Sequence, residues 1–263
     1  MLESLLSFVP TFVLVVFRLA GMMLYAPLFG SVRVPRRVRV ALILVLAAGI
    51  TPGIVPPRVL PDTPWGLAVG IGGEMAFGLA MGMVLSFVFV AVQWAGEIIG
   101  QQMGFNLGEV FDPQFGSQSS VIGDMYFMFT LVVFLLIGGH RSMIAGVRAS
   151  FDALPLLSVG INHDILNLVL ELFQAATILA IQLAAPVLIT MLIVDLVLGL
   201  IGRTIPQMNV MSAALSIRAG LGILVIWFGL TLTAKVIRGE LMQSMQNVRL
   251  GWTTAAQPVG PPR

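Results

Sequence analysis

The sequence predicts an all-α, polytopic integral membrane protein built from long helices that are kinked and broken by proline and glycine. Three observations predict it. Hydrophobic residues make up 58% of the chain and charged residues 10%, where a soluble domain carries about a quarter charged residues. Mean hydropathy is +1.00. The apolar blocks run nearly end to end through 263 residues, so residues 1–250 read as a single helical unit and the polar stretch 251–263 as a disordered tail. The formal net charge is only +2. It is mostly arginine at block edges, which fits membrane topology rather than nucleic-acid binding. The absence of cysteine excludes disulfides, thiolate metal sites and thiol catalysis.

The first block, Leu5–Gly30, is long enough to cross a bilayer, which takes about 20 apolar residues. Arg18 lies in its middle, where an arginine either snorkels or faces a polar interior or another subunit. Pro27 ends or kinks the helix. SVRVPRRVRV then packs Arg33, Arg36, Arg37 and Arg39 into a short turn, which the positive-inside rule places in the cytoplasm. The second block, Val40–Val55, is short for a span and stops at PGIVPPRVLPDTP, a stiff extended connector.

The third block, Trp65–Ala95, exceeds one crossing and holds Gly78 and Gly82 at the spacing that lets helix backbones approach. Glu74 sits near its start. An intramembrane carboxylate there is a cation or proton site, a partner for Arg18, or an interfacial group. The block flows into Gly96–Gly123, GEIIGQQMGFNLGEVFDPQFGSQSSVIG, the feature that most needs explaining. Gly96, Gly100, Gly104 and Gly108 recur every fourth residue, a ridge against which another backbone can lie. Each costs a helix about 1 kcal/mol relative to alanine, so the ridge implies close packing or a moving part. FDPQFGSQSS cannot continue a helix: Pro113 biases Asp112 away from helical angles, and Gly116 opens a polar loop carrying Phe111 and Phe115.

Beyond the loop, Met125–Gly139 is barely long enough to cross. His140 reads as a loop histidine, since a metal site needs several convergent ligands, and Arg148–Ile161 as an amphipathic or irregular connection. His163 and Asp164 fit a helix N-terminus. The fifth block, Ile165–Arg203, is far too long for one span. Pro186 either joins two helices or kinks one, and Asp195 lies deep in its second half. A last apolar block covers Ala219–Ile237. Strict alternation of these blocks across a membrane would put Arg141, Arg148, Lys235 and Arg238 outside, against the positive-inside rule. Either a block does not cross, or lipid does not hold the chain in the ordinary way.

The chain resembles the FliR family of the type III protein export apparatus, called SctT in virulence systems, over almost its whole length. The resemblance rests on Arg18, Pro27, Phe29, Pro35 and Arg39; on AGEIIGQQMGF followed by FDP; on Gly139-His140, Ser150-Phe151 and Leu154-Pro155; and most specifically on AAPVLITMLIVDLVLGLIGRTIPQMNV, with Arg203, Pro206, Gln207 and Asn209. Ser216 stands where the family usually has proline and Met211 where it has phenylalanine. The resemblance implies a non-enzymatic, cofactor-free subunit of a helical hetero-oligomeric export gate with FliP and FliQ homologues. FlhB and FlhA homologues are implied neighbours and unfolded export substrates the cargo. The place implied is the bacterial inner membrane at the flagellar basal body, with much of the gate standing above the membrane plane. It also implies that the loop matching Gln102–Gly123 plugs the channel. Met103, Phe105 and Phe111, with Asp112 and Pro113 setting the turn, would seal the pore, and removing Gln114–Ser120 would raise ion leak. Arg18, Glu74, Glu97 and Asp195 are expected to pair between subunits, in preference to a proton relay.

Three other readings stand beside it. A virulence-type gate differs only in overall resemblance, and FDP and the central motif lean flagellar. A secondary transporter would normally show repeated halves with matching interruptions, and no repeat is visible. An intramembrane serine protease would need a base within reach of Ser117, and neither histidine has an orienting third group. No Walker-type phosphate loop is present, so the energy source lies elsewhere.

Overall fold

A computed structural model describes residues 2–27, 29–30, 34–57, 60–61, 63–105, 120–157, 163–204 and 210–255. Within them all regular structure is helical: α1 (Leu2–Tyr25), α2 (Arg36–Ile50) with a 3-10 turn at Thr51–Gly53, α3 (Pro64–Met103), α4 (Val121–Leu136), α5 (Gly139–Ala153), α6 (His163–Thr204) and α7 (Val210–Ala255). Four helices are long and apolar enough to cross a membrane, within Phe8–Tyr25, Pro64–Met103, Leu170–Thr204 and Ala214–Gln246. Counting the bent pair α4–α5 as one broken span makes five. The protein is therefore an all-α, polytopic membrane protein. Its long helices also satisfy their own hydroxyls. Thr130, Thr177, Thr190 and Thr204 each donate to the carbonyl four residues back, at 2.8–2.9 Å, so these four hydroxyl protons are not left bare in apolar surroundings.

Several boundaries differ from the sequence reading. Arg36, Arg37 and Arg39 are not in a turn; they form the first turns of α2, because Pro35, restricted in φ, suits the residue just before a helix. The connection expected over Arg148–Ile161 is helical as far as Ala153, and His140 lies in the first turn of α5 rather than in a loop. The break between α4 and α5, bent by 66°, is made by Gly138 at φ 74°, a left-handed conformation that suits glycine. Gly139 sits so close under the Phe134 ring that a Cβ would overlap it. Pro186 divides nothing: α6 is one helix of 42 residues that absorbs it. The last helix continues past Gly251 to Ala255, so the helix extends into the stretch expected to be disordered; residues 256–263 lie outside the described set.

Contacts group the chain into two compact units. One comprises Met1–Phe87, Phe134–Leu172 and Leu241–Arg263; the other comprises Val88–Val133 and Phe173–Glu240. In the first, α1 crosses the N-terminal half of α3 at backbone contact. A Cβ on Gly78 would overlap the Arg18 carbonyl, one on Gly21 the Met75 carbonyl, and one on Gly82 would stand 2.5 Å from Met22 O. The Ser86 hydroxyl donates to the Tyr25 carbonyl at the same crossing. Leu14, Leu19, Met23, Met81 and Leu85 fill the interface and are buried. The small-residue spacing of Gly78 and Gly82 thus does what the sequence implied.

In the second unit, Phe89 meets Phe127 edge-on at 5.5 Å and Trp94 meets Phe173 at 5.9 Å. A cavity of about 50 Å³ lies among Tyr126, Leu183, Pro186, Gly229 and Thr233. Gly229 is inside α7, and a Cβ there would touch nothing within 4 Å. Gly229→Ala is expected to stabilise the protein by about 1 kcal/mol, from helix propensity and partial filling. A detergent-titration unfolding midpoint that falls instead of rising would overturn this.

Candidate functional site

The stretch Gly96–Gly123 is held at both ends by backbone chemistry. Helix α3 ends in a Schellman motif: Gly104 N–H donates to Gln101 O at 3.1 Å and Phe105 N–H to Gly100 O at 3.0 Å, with Gly104 at φ 82°. Gly104 therefore caps the helix rather than extending the ridge, the role a left-handed glycine fills at C′. Just before this cap, Met103 is fully buried. It lies against Gly222 of α7, where a Cβ would come within 2.6 Å of its side chain. Phe105, one residue beyond the cap, is 44% exposed.

The other end is fixed by Ser120, buried at the start of α4, whose hydroxyl oxygen accepts the Gly123 N–H at 3.3 Å as an N-cap. The two ends meet through glycine. A Cβ on Gly96 would stand 2.5 Å from Gly123 Cα and 2.8 Å from Ile122 O, so the backbones of α3 and α4 touch. Gly100, buried one turn further along, continues the ridge. Glu97 flanks the contact, its Cγ 3.4 Å from where a Cβ on Gly123 would be. Gly108, Phe111, Asp112 and Pro113 lie outside the described residues.

The buried charges organise a second site, wholly in the first unit. Arg18 is fully buried, and all three nitrogens of its guanidinium are hydrogen-bonded. Nε donates to Glu74 Oε2 at 2.5 Å. Nη1 donates to the Ser150 carbonyl and hydroxyl oxygens, and Nη1 and Nη2 share the Leu154 carbonyl, each at 3.2 Å. Phe151 and Phe77 lie against the guanidinium, with ring centroids 4.3 and 4.9 Å from Cζ, where a cation is attracted to the ring faces. The other Glu74 oxygen accepts the Leu157 N–H at 2.9 Å, and Leu157 has φ 64°. One ion pair thus ties α1 and α3 to the carbonyl end of α5, where a cation also complements the helix dipole.

This corrects an expectation. Arg18 and Glu74 were expected to pair between subunits; they pair with each other within the chain. Asp195 likewise meets Arg218 of this chain at 2.6 Å, with side chains 43% and 35% exposed. Arg203 lies exposed in the last turn of α6; Pro206, Gln207 and Asn209 lie outside the described residues. Sequence reasoning missed the functional part played by Ser150, Leu154 and Leu157, whose signal was only the pairs Ser150-Phe151 and Leu154-Pro155. It missed Ser120 as a cap and Gly222 as the seat of Met103. Among the described residues no group of three or more His, Asp or Glu side chains could hold a metal.

Backbone-tight glycine crossings, a buried ion pair and, in the other unit, two capped helix ends flanking a polar segment define a helical membrane component. Residues 9–244 match the family described as bacterial export proteins, family 1, and the chain belongs to that family, the FliR/SctT family of type III export. The flagellar biosynthetic protein FliR of Bacillus subtilis is 29% identical over 252 residues, covering 94% of this chain and 96% of its own. FliR of Escherichia coli is 29% identical over 89% of this chain and 84% of its own. The surface presentation of antigens protein SpaR of Shigella flexneri is 30% identical over 81% and 82%. The chain is accordingly a multi-pass membrane component of a bacterial type III export apparatus.

Proposed function

We propose that this chain is the FliR-type subunit of a flagellar export gate. It would assemble with FliP and FliQ homologues, beside FlhA and FlhB homologues, in the inner membrane at the basal body. It would pass unfolded flagellar subunits through a central channel, with no chemistry and no cofactor of its own. The observation that carries the reading is the double anchorage of the central loop, by the Schellman cap at Gly104 and by Ser120 and the Gly96–Gly123 contact. A polar loop whose feet are fixed and whose middle carries FDPQFG can close a channel and swing aside without unfolding its supports. Met103, turned inward onto Gly222, serves as an anchor, so the apolar seal falls to Phe105 and Phe111, with Asp112 and Pro113 shaping the turn. A virulence-type gate is the second reading, favoured by identity to SpaR as high as to the FliR proteins.

Two measurements test the proposal. Native mass spectrometry of the chain co-expressed with its genomic neighbours is expected to show a hetero-oligomer with several copies of two small hydrophobic partners; a lone monomer or homodimer would overturn it. Shortening the loop by Gln114–Ser119, which leaves the Ser120 cap in place, is expected to raise ion conductance through the assembled gate. Unchanged conductance would remove the plug role while leaving the subunit assignment intact.

A further inference from the structure

Helix α2 is used by nothing described so far. It has 15 residues, so it is about 22 Å long and falls short of the hydrocarbon core of about 30 Å; it is not one of the candidate spans. Ile43 and Ala47 are buried, and α2 packs on α1. The opposite face carries Val38, Leu44 and Val45, between 43% and 71% exposed, with the exposed Ala41 and Ala48 between them; at 100° per residue these positions form one continuous apolar arc. All the basic residues stand at one end. Arg36 and Arg37 are exposed, with no acidic residue in the first turn. Among the described residues no carboxylate pairs with either of them, the two ion pairs being Arg18–Glu74 and Asp195–Arg218.

An apolar face about 15 Å deep with unpaired arginines at one rim matches one surface: a lipid leaflet, with acyl chains against the valines and anionic phosphates at the rim. Guanidinium groups suit phosphate because their planar fork donates to two oxygens at once. A protein partner would have to supply both an apolar wall and acidic groups at one end, whereas a leaflet has both in that order.

We infer that α2 is a leaflet-anchoring helix whose Arg36 and Arg37 bind the phosphate headgroups of anionic phospholipids. This anchoring does not depend on which partners complete the gate. The helix seats the first unit at a fixed depth, with the arginine end in the headgroup layer.

The test is native mass spectrometry of the full chain in neutral detergent, titrated with phosphatidylglycerol or with phosphatidylcholine of the same acyl chains. Phosphatidylglycerol adducts are expected to be favoured about thirtyfold, the order two arginines provide at an anionic surface. The preference should fall towards unity in R36Q/R37Q and persist in R36K/R37K. Equal retention of the two lipids by the unaltered chain overturns the inference, as does a preference that survives R36Q/R37Q. If inorganic phosphate at millimolar concentration strips the preference, the site takes a small anion and the leaflet assignment fails. Should R36Q/R37Q not extract folded, the salt dependence of the unaltered chain decides: a preference unchanged between low and high ionic strength would also overturn it.

Discussion

Arg18→Met is expected to cost about 3–5 kcal/mol of stability, and Glu74→Gln a comparable amount, because each strands the other charge in a place without water. Both side chains are wholly buried, so solvent does not soften the loss. Arg18→Lys should fail almost as badly: an ammonium cannot reach Glu74, Ser150 and Leu154 with the donor fork that the guanidinium provides. The double variant Arg18→Met/Glu74→Leu removes both charges together and is expected to recover much of the loss. It still leaves the Leu154 carbonyl and Leu157 N–H without these partners. Unfolding midpoints in a denaturing-detergent titration form the cycle, and a large favourable coupling between the two sites is the expected result. Single-variant losses below about 1 kcal/mol would mean that the pair is not dry in the membrane, and the clamp on α5 would have to be abandoned.

That pair shows where the sequence stopped being legible. The composition gave the class of protein, and the spacing of Gly78 and Gly82 gave a helix crossing, because those signals are local. Which charge meets which is not local: Arg18 and Glu74 are 56 positions apart, and Ser150 is 132 from Arg18. Glu74 could be considered as a partner for Arg18, yet nothing in one sequence separates that from pairing across subunits. Gly104 was misassigned because a glycine every fourth residue looks the same whether the last one extends the helix or ends it. Only the Phe105 N–H returning to Gly100 O distinguishes the two. Pro186 was ambiguous because a proline tolerated in a long apolar helix and a proline in a tight turn have the same neighbours. Of the expected loop, the two ends at Gly104 and Ser120 are described, while Phe111 to Gly116 lie outside the described residues.

Gly96→Val is expected to be the most damaging single change at the loop. The valine Cβ would enter the backbone of Gly123 on one side and meet the Ile122 carbonyl on the other, and backbone cannot turn away as a side chain can. The helices must separate, at a cost of about 1–3 kcal/mol or more, offset only in part by the gain of up to about 1 kcal/mol from losing a helical glycine. Gly96→Ala should show the same sign with a smaller size. The contact is not symmetric, and this makes the test sharp. A Cβ on Gly123 would meet its nearest neighbours at 3.3–3.4 Å, two of the three being side-chain atoms of Glu97 and Ser120, which can shift by a few tenths of an ångström. Gly123→Ala should therefore be milder than Gly96→Ala. The functional readout follows from the same geometry: moving α3 off α4 displaces one foot of the loop, so Gly96→Val gates should leak ions, while Gly229→Ala gates, altered far from the loop in sequence and only filling a cavity, should not. If Gly96→Ala and Gly123→Ala are equally tolerated, α3 and α4 do not touch at these glycines. If Gly96→Val destabilises the chain yet the assembled gate stays tight, the crossing is structural and the loop's position is set elsewhere.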